Sequence, residues 1–103
     1  MKDMIEVRAA VDTIDKAILD LIKHRFDLME QAANIKPTRD AVLNIPRKEQ
    51  VITNAINYAF DIGIPGESIG LIWETLVNAC IAHEYNVYDR LTDAGQKSNT
   101  HLD

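Results

Sequence analysis

Two cations stand within an apolar helical stripe near the start of this sequence. Apolar side chains recur there at intervals of three and four residues, which is the spacing of one face of a helix. Arg25 occupies a position of that stripe, and Lys36 projects only about 20° away from it, three turns further on. Because a buried charge is costly unless a negative group meets it, the pair predicts a pocket for an anion. The stripe consists of Val7, Val11, Ile14, Ile18, Leu21, Leu28, Ala32 and Ile35.

Two later segments place further charged residues on inward faces. Asn44, followed by Pro46, is typical of a helix start, and Arg47 continues the inward face of that helix. In the last helical segment Glu84 falls within the apolar stripe, about 40° from Cys80. Three cations and one acid would then meet in one pocket. This cationic surplus suits a small polycarboxylate.

Each of these residues also has a structural interpretation. Arg25 could pair with a nearby acid or extend to solvent, and Arg47 could be a solvated charge. Lys36, at a helix end, could bind the last carbonyls, and Glu84 could belong to a core ion pair. Cys80 is typical of a packing residue. The conjunction of the charged positions favours a binding site over these separate explanations.

Arg8 points away from the predicted pocket. It lies seventeen residues before Arg25, or about 100° around the helix, at the edge of the stripe. An equivalent pocket on a second copy of the chain could still use it. Since no Pro or Gly interrupts residues 1–36, the helix would be about 50 Å long, which exceeds the width of a 103-residue globule. The pattern therefore predicts a homodimer.

Composition limits the other classes of function. The net charge of −5 argues against a nucleic-acid partner, and no apolar run approaches the length of a membrane span. The beginning, MKDMIEVRAAVD, lacks the apolar core of a signal peptide, so a cytoplasmic protein is expected. With Cys80 as the only cysteine, no glycine-rich phosphate loop and no metal-ligand set, we expect neither a metal nor another cofactor.

Pro37 and Gly63 divide the chain into three helices. They are predicted over about residues 3–36, 45–62 and 67–91, in a helical domain of residues 1–92 followed by a disordered tail at 93–103. The connection 37–44 directly follows Lys36 and so lies next to the predicted pocket. Thr38 in this connection is therefore a candidate for hydrogen bonding to a ligand. The expected inward residues are Val51, Ala55, Tyr58 and Ile62 in the second helix and Ile69, Trp73, Leu76, Cys80, Val87 and Leu91 in the third.

Several segments together carry a resemblance. They are the first-helix run VRAAVDTIDKAILDLIKHRF, then Lys36, then RKEQV beginning at Arg47, and a last helix that contains IAHE. Over about residues 5–91 the chain resembles the all-helical chorismate mutase family, which includes bacterial isochorismate-pyruvate lyases. The resemblance implies an all-α fold with three helices per chain, in an intertwined homodimer whose long first helices span both halves and form two identical pockets.

The resemblance also implies roles for the candidate residues. Arg25 and Lys36 would hold a carboxylate and the ether oxygen of an enolpyruvyl group, and Arg8 would be supplied by the partner chain. Arg47 matches the arginine at the start of the family's second helix. Glu84 stands where many members have glutamine and some have glutamate, and Cys80 where a small polar residue often occurs.

The implied reaction is the rearrangement of chorismate to prephenate, or the loss of pyruvate from isochorismate to give salicylate. Glu84 could donate to the ether oxygen only when protonated, because an ether only accepts. Lys48 replaces a glutamate that contacts the ring hydroxyl in typical mutases, and Asn44 replaces a frequent aspartate. With the short connection from Lys36 to Arg47, these departures favour the lyase, with the mutase as the alternative. A non-catalytic dimeric interaction module is the third possibility.

Overall fold

The chain folds into three α-helices joined by short connections. The computed structural model describes residues 3–95, which form no β-strand. Helix α1 spans Met4–Ile35, a short 3-10 helix spans Arg39–Val42, α2 spans Ile45–Ile62 and α3 spans Gly66–Asp93. The predicted all-α fold of three helices is therefore confirmed. None of these helices is long and apolar enough to cross a membrane.

The helix ends follow from local sequence signals. Lys36, which precedes Pro37, leaves the helical region with ψ of 134° and ends α1. The Asn44 side chain caps α2 by accepting a hydrogen bond from the backbone N–H of Arg47, at 3.1 Å. Gly63 ends α2 in the left-handed conformation with φ of 83°, which favours glycine. These ends agree with the predicted ones to within one residue.

The face of α1 that packs within the chain differs from the predicted stripe. Leu21, Leu28 and Ile35 belong to the predicted stripe and are exposed within one chain, Ile35 to 80%. Helix α1 carries a second apolar face one residue further round, and this face packs on α3. Only one of two neighbouring faces can contact the same α3, so the orientation of the stripe toward a partner stays a prediction. The packed face includes Ile22, Phe26, Met29 and Ala33.

The inward face of α2 is also rotated from the predicted one. Tyr58 and Ile62 are exposed, Tyr58 to 65%, so their predicted inward orientation was wrong. The reason is a close approach to α3, in which a Cβ at Gly66 or Gly70 would lie 3.3 Å from the Ile56 side chain. This contact turns Ile56 and its neighbours inward. The covered residues of α2 are Val51, Ile52, Ala55, Ile56 and Ala59.

The inward positions predicted for α3 are confirmed. Cys80 and Val87 are buried, together with Val77 and Tyr88, and the remaining predicted positions are partly buried. Residues 93–103 were predicted to be a disordered tail. Of these, Asp93 belongs to α3, and residues 96–103 lie outside the described residues. The partly buried positions are Ile69, Trp73, Leu76 and Leu91.

The packed core lies at the C-terminal end of α1, and the N-terminal half of α1 extends beyond it. Ala33, Val42, Val87 and Tyr88 form the core where α1, the 3-10 helix and α3 meet. The molecule measures 67 × 26 × 15 Å, and its radius of gyration is 17.8 Å. A compact domain of this length would have a radius of gyration of about 13 Å. The exposed apolar residues on the extended half of α1 are Val7, Val11, Ile14, Ile18 and Leu21.

Candidate active site

A cavity of about 210 Å³ lies between the C-terminal half of α1, the start of α2 and the middle of α3. Six residues that the sequence predicts for a site line it together, although they come from positions up to 59 residues apart. They are Arg25, Lys36, Asn44, Arg47, Cys80 and Glu84, and the remaining lining residues are Met29, Ala32, Val42, Lys48, Val51, Val77 and Ile81.

Lys36 and Glu84 form an ion pair inside the cavity. The Lys36 Nζ lies 2.6 Å from Glu84 Oε2, and the two side chains are 27% and 4% exposed. The same Nζ donates a hydrogen bond to the Val42 carbonyl at 3.2 Å. Oε2 is buried against this ammonium, and no other group within residues 3–95 donates to it. Glu84 therefore retains unused hydrogen-bonding capacity at the cavity wall.

Two guanidinium groups reach the cavity without an acidic partner. Arg25 is partly buried, and within residues 3–95 it makes no ion pair. The Arg47 Nη1 donates to the Oε1 of Gln50 at 2.7 Å, which is a neutral acceptor on its own helix. Guanidinium groups bind carboxylates through two parallel hydrogen bonds. Both arginines are therefore available to a bound carboxylate.

Lys48 adds a fourth cation, which the sequence analysis gave as a departure from typical mutases and not as a site residue. It lines the cavity, and its Nζ lies 2.8 Å from the Oε2 of Glu74 at the edge. The hydrogen bond from Lys48 is the largest contribution that holds the pKa of the Glu74 carboxyl below its usual range. The missed signal was its spacing, because Lys48 precedes Val51 by three residues and Ile52 by four, on the inward face of α2.

Two predicted site residues do not line the cavity. Thr38 is exposed at the start of the 3-10 helix, while Val42 is the residue of that segment that faces inward. The predicted contact of Thr38 with a ligand is therefore not supported within one chain. Arg8 is exposed and about 26 Å from Arg25 along α1, at 1.5 Å per residue. This distance agrees with the expectation that Arg8 cannot serve the pocket of its own chain.

The connection between α1 and α2 is fixed to α3 at the end of the cavity. Arg39 donates to both carboxylate oxygens of Asp89, at 2.9 and 3.3 Å, and its guanidinium lies 4.5 Å from the centre of the Tyr85 ring. This bonding raises the pKa of Arg39. The Tyr88 hydroxyl donates to the Pro37 carbonyl at 3.3 Å. These contacts hold Val42 over the cavity.

The arrangement can bind and orient an anion, and it can stabilise charge that develops on a ligand oxygen. The described lining residues carry four cationic groups and one carboxylate. Such preorganised charges act strongly in a site that excludes most water. Among residues 3–95, no group of three or more His, Cys, Asp or Glu side chains could hold a metal ion. The four cations of the lining can supply electrostatic binding of an anion.

Residues 7–85 match the family model for chorismate mutase type II, which covers more than half of the chain. The chain belongs to the type II chorismate mutase family. The match includes all six predicted residues at the cavity, and also Arg8 and Lys48.

A curated relative agrees with this family membership. The bifunctional chorismate mutase/prephenate dehydratase of Aquifex aeolicus (strain VF5) is 28% identical over 91 residues, which cover 84% of this chain. The chain spans only a quarter of the length of that relative. Both similarities are to chorismate mutases, and neither supports the lyase branch specifically.

Proposed function

We propose that this chain rearranges chorismate to prephenate. The observation that carries the proposal is the convergence of Arg25, Lys36, Arg47 and Glu84 on one cavity of a chorismate mutase fold. Chorismate carries two carboxylates and an enolpyruvyl ether, so it needs cations at two places and a donor at a third. The cavity offers groups of these types from three different helices.

The proposed mechanism assigns binding and charge stabilisation to the cavity. In the rearrangement the ether C–O bond breaks while a C–C bond forms, so no nucleophile and no net proton transfer are required. Arg25 and Arg47 hold the carboxylates and keep the substrate in its folded, reactive shape. Lys36 donates to the ether oxygen, where negative charge develops as the bond lengthens, and Glu84 can donate there only as the neutral acid, because an ether only accepts.

We further propose that the functional unit is a homodimer in which Arg8 of one chain completes the cavity of the other. The exposed apolar residues on the N-terminal half of α1 support this, because a second copy would cover them. The radius of gyration of 17.8 Å also supports it, since a single chain leaves this half of α1 without a packing partner.

A second candidate reaction is the elimination of pyruvate from isochorismate, which gives salicylate. The same cations would clamp its two carboxylates. The observation that favours it is Lys48 at the cavity wall, where a donor replaces the acceptor that typical mutases present to the ring hydroxyl. The lyase reaction would thus use the same site with isochorismate as the preferred substrate.

The proposal is tested by assaying the purified chain with chorismate and, separately, with isochorismate. We expect chorismate absorbance to fall as prephenate forms, faster than the uncatalysed rate by several orders of magnitude. Salicylate fluorescence that appears from isochorismate faster than chorismate is consumed would replace the mutase by the lyase. If neither substrate reacts and neither raises the melting temperature, the chain is an interaction module, because a bound ligand stabilises the folded state.

Glu84→Gln tests the donor role of this residue. We expect the variant to retain turnover, because the amide of glutamine donates a hydrogen bond from the same position. Glu84→Ala, which removes the donor, should lower kcat by about a hundredfold. The measurement is kcat for chorismate, with Glu67→Gln, an exposed acid in the first turn of α3, as the control. A loss of turnover in Glu84→Gln as large as that in Glu84→Ala would contradict the donor role.

A further inference from the structure

Lys48 differs from the other cations of the cavity in its partner. Its side chain is 21% exposed and lines the cavity, yet its Nζ pairs with Glu74, which is not a lining residue. Lys36, in contrast, pairs with Glu84 inside the cavity, and the two arginines have no acidic partner within residues 3–95. One cation of the site is thus held at the edge by an external carboxylate.

The Lys48–Glu74 ion pair can open at low cost, which frees the Lys48 ammonium for another partner. Glu74 is 49% exposed, and an ion pair in contact with water is weak, so little is lost when it opens. Asn78 also donates to Glu74 Oε2, at 3.2 Å, so the carboxylate keeps a partner when the ammonium leaves. The flexible four-carbon stem of lysine allows the ammonium to move without a change in the α2 backbone.

A dianion inside the cavity offers Lys48 a stronger partner than Glu74 does. Charges attract more strongly where protein replaces water, so a ligand carboxylate within the cavity competes well with a half-exposed carboxylate. The ammonium can only donate hydrogen bonds, and a substrate with two carboxylates presents only acceptors and hydroxyls to this wall.

We propose that Glu74 holds Lys48 at the cavity edge in the free protein, and that Lys48 exchanges Glu74 for an oxygen of a bound dicarboxylate. This inference rests on the proposed function insofar as the cavity binds a dicarboxylate. Glu74 is then a competitor of the substrate, and the pair adjusts the affinity of the site without contributing to the chemical step.

The alternative is a structural tie between α2 and α3, and it makes opposite predictions for Glu74. If the pair is only a tie, removal of either partner lowers the melting temperature and leaves affinity unchanged or weakened. If Glu74 competes with the ligand, its removal strengthens binding while removal of Lys48 weakens it. The sign of the two effects on affinity therefore separates the two roles.

The experiment is a double-mutant cycle measured by calorimetric titration of prephenate, the dicarboxylate product of the proposed reaction. Lys48→Gln should raise Kd about tenfold, because a charge-assisted hydrogen bond is lost. Glu74→Gln should lower Kd about threefold, because it removes the competing half-exposed ion pair. In the double variant Kd should equal that of Lys48→Gln alone.

Two comparisons separate competition from a general change in charge. Glu30→Gln removes an acid of equal exposure, 49%, whose partner His83 is not a lining residue, so Kd should stay unchanged. A nonspecific field effect would instead lower Kd in Glu30→Gln, and again when Glu74→Gln is added to Lys48→Gln. Either result would overturn the inference.

The inference and the proposed function fail in different ways. An unchanged Kd in Lys48→Gln, or an unchanged or higher Kd in Glu74→Gln, overturns the role of Lys48. If the unaltered protein does not bind prephenate the inference is also overturned, whereas turnover of chorismate by the same preparation would retain the proposed function. If Kd rises in Lys48→Gln and falls in Glu74→Gln, but the protein converts neither chorismate nor isochorismate, the inference is supported and the proposed reaction is overturned.

Discussion

Replacement of Lys36 by methionine should lower kcat/KM for chorismate by about 10²- to 10³-fold, the effect of removing one donor to a developing oxyanion. Methionine keeps the length and most of the volume of the side chain, so the loss reports on the ammonium. The free energy of unfolding should also fall by about 1–3 kcal/mol, because the change leaves the Glu84 carboxylate buried without its ion-pair partner. Steady-state kinetics and denaturant unfolding measure the two effects.

The matched control for Lys36 lies on the same helix. Lys23→Met removes a lysine that is also paired with an acid, Asp27, but this pair is exposed and outside the cavity. We expect unchanged kinetics and a much smaller loss of stability than in Lys36→Met. The double variant Lys36→Met/Glu84→Gln should regain stability without regaining turnover. Recovery of turnover in that variant would show that Lys36 supports the fold rather than the reaction.

The cations on α1 could be predicted from the sequence because they share a helix. Within one helix the rotation per residue is fixed, so Arg25 and Lys36 must point to one side wherever the helix packs. Glu84 could be identified for a related reason, since an acid within an apolar stripe must be either paired or functional. The structure places it 2.6 Å from Lys36, inside the cavity.

Positions that depend on packing between helices could not be predicted in the same way. Helix α1 has two neighbouring apolar faces, and its sequence does not specify which one contacts its own α3. The inward face of α2 is set by the approach of Ile56 to Gly66 and Gly70, which is a contact between distant parts of the chain.

The second large effect concerns Arg8 and requires two chains. Arg8→Ala and Lys36→Met should each be nearly inactive alone, yet refolding them together in equal amounts should restore about a quarter of the unaltered activity. Half of the dimers formed at random contain one chain of each kind. In such a dimer the cavity with an intact Lys36 receives Arg8 from the other chain, whereas the second cavity lacks both residues. One cavity in four is therefore complete, and the recovered chorismate turnover measures that fraction.

A control mixture tests whether the recovery arises from a shared site. Arg25→Ala and Lys36→Met both alter residues that line one cavity of a single chain, so every cavity in their mixed dimers keeps one lesion. This mixture should remain inactive at the same protein concentration. If the Arg8→Ala mixture also remains inactive, or if Arg8→Ala alone is fully active, Arg8 does not complete the neighbouring cavity. If activity recovers with Arg8→Ala but not with Arg25→Ala, the N-terminal half of α1 contributes to catalysis in the neighbouring chain. This half of the helix carries Arg8 about 26 Å away from the pocket of its own chain.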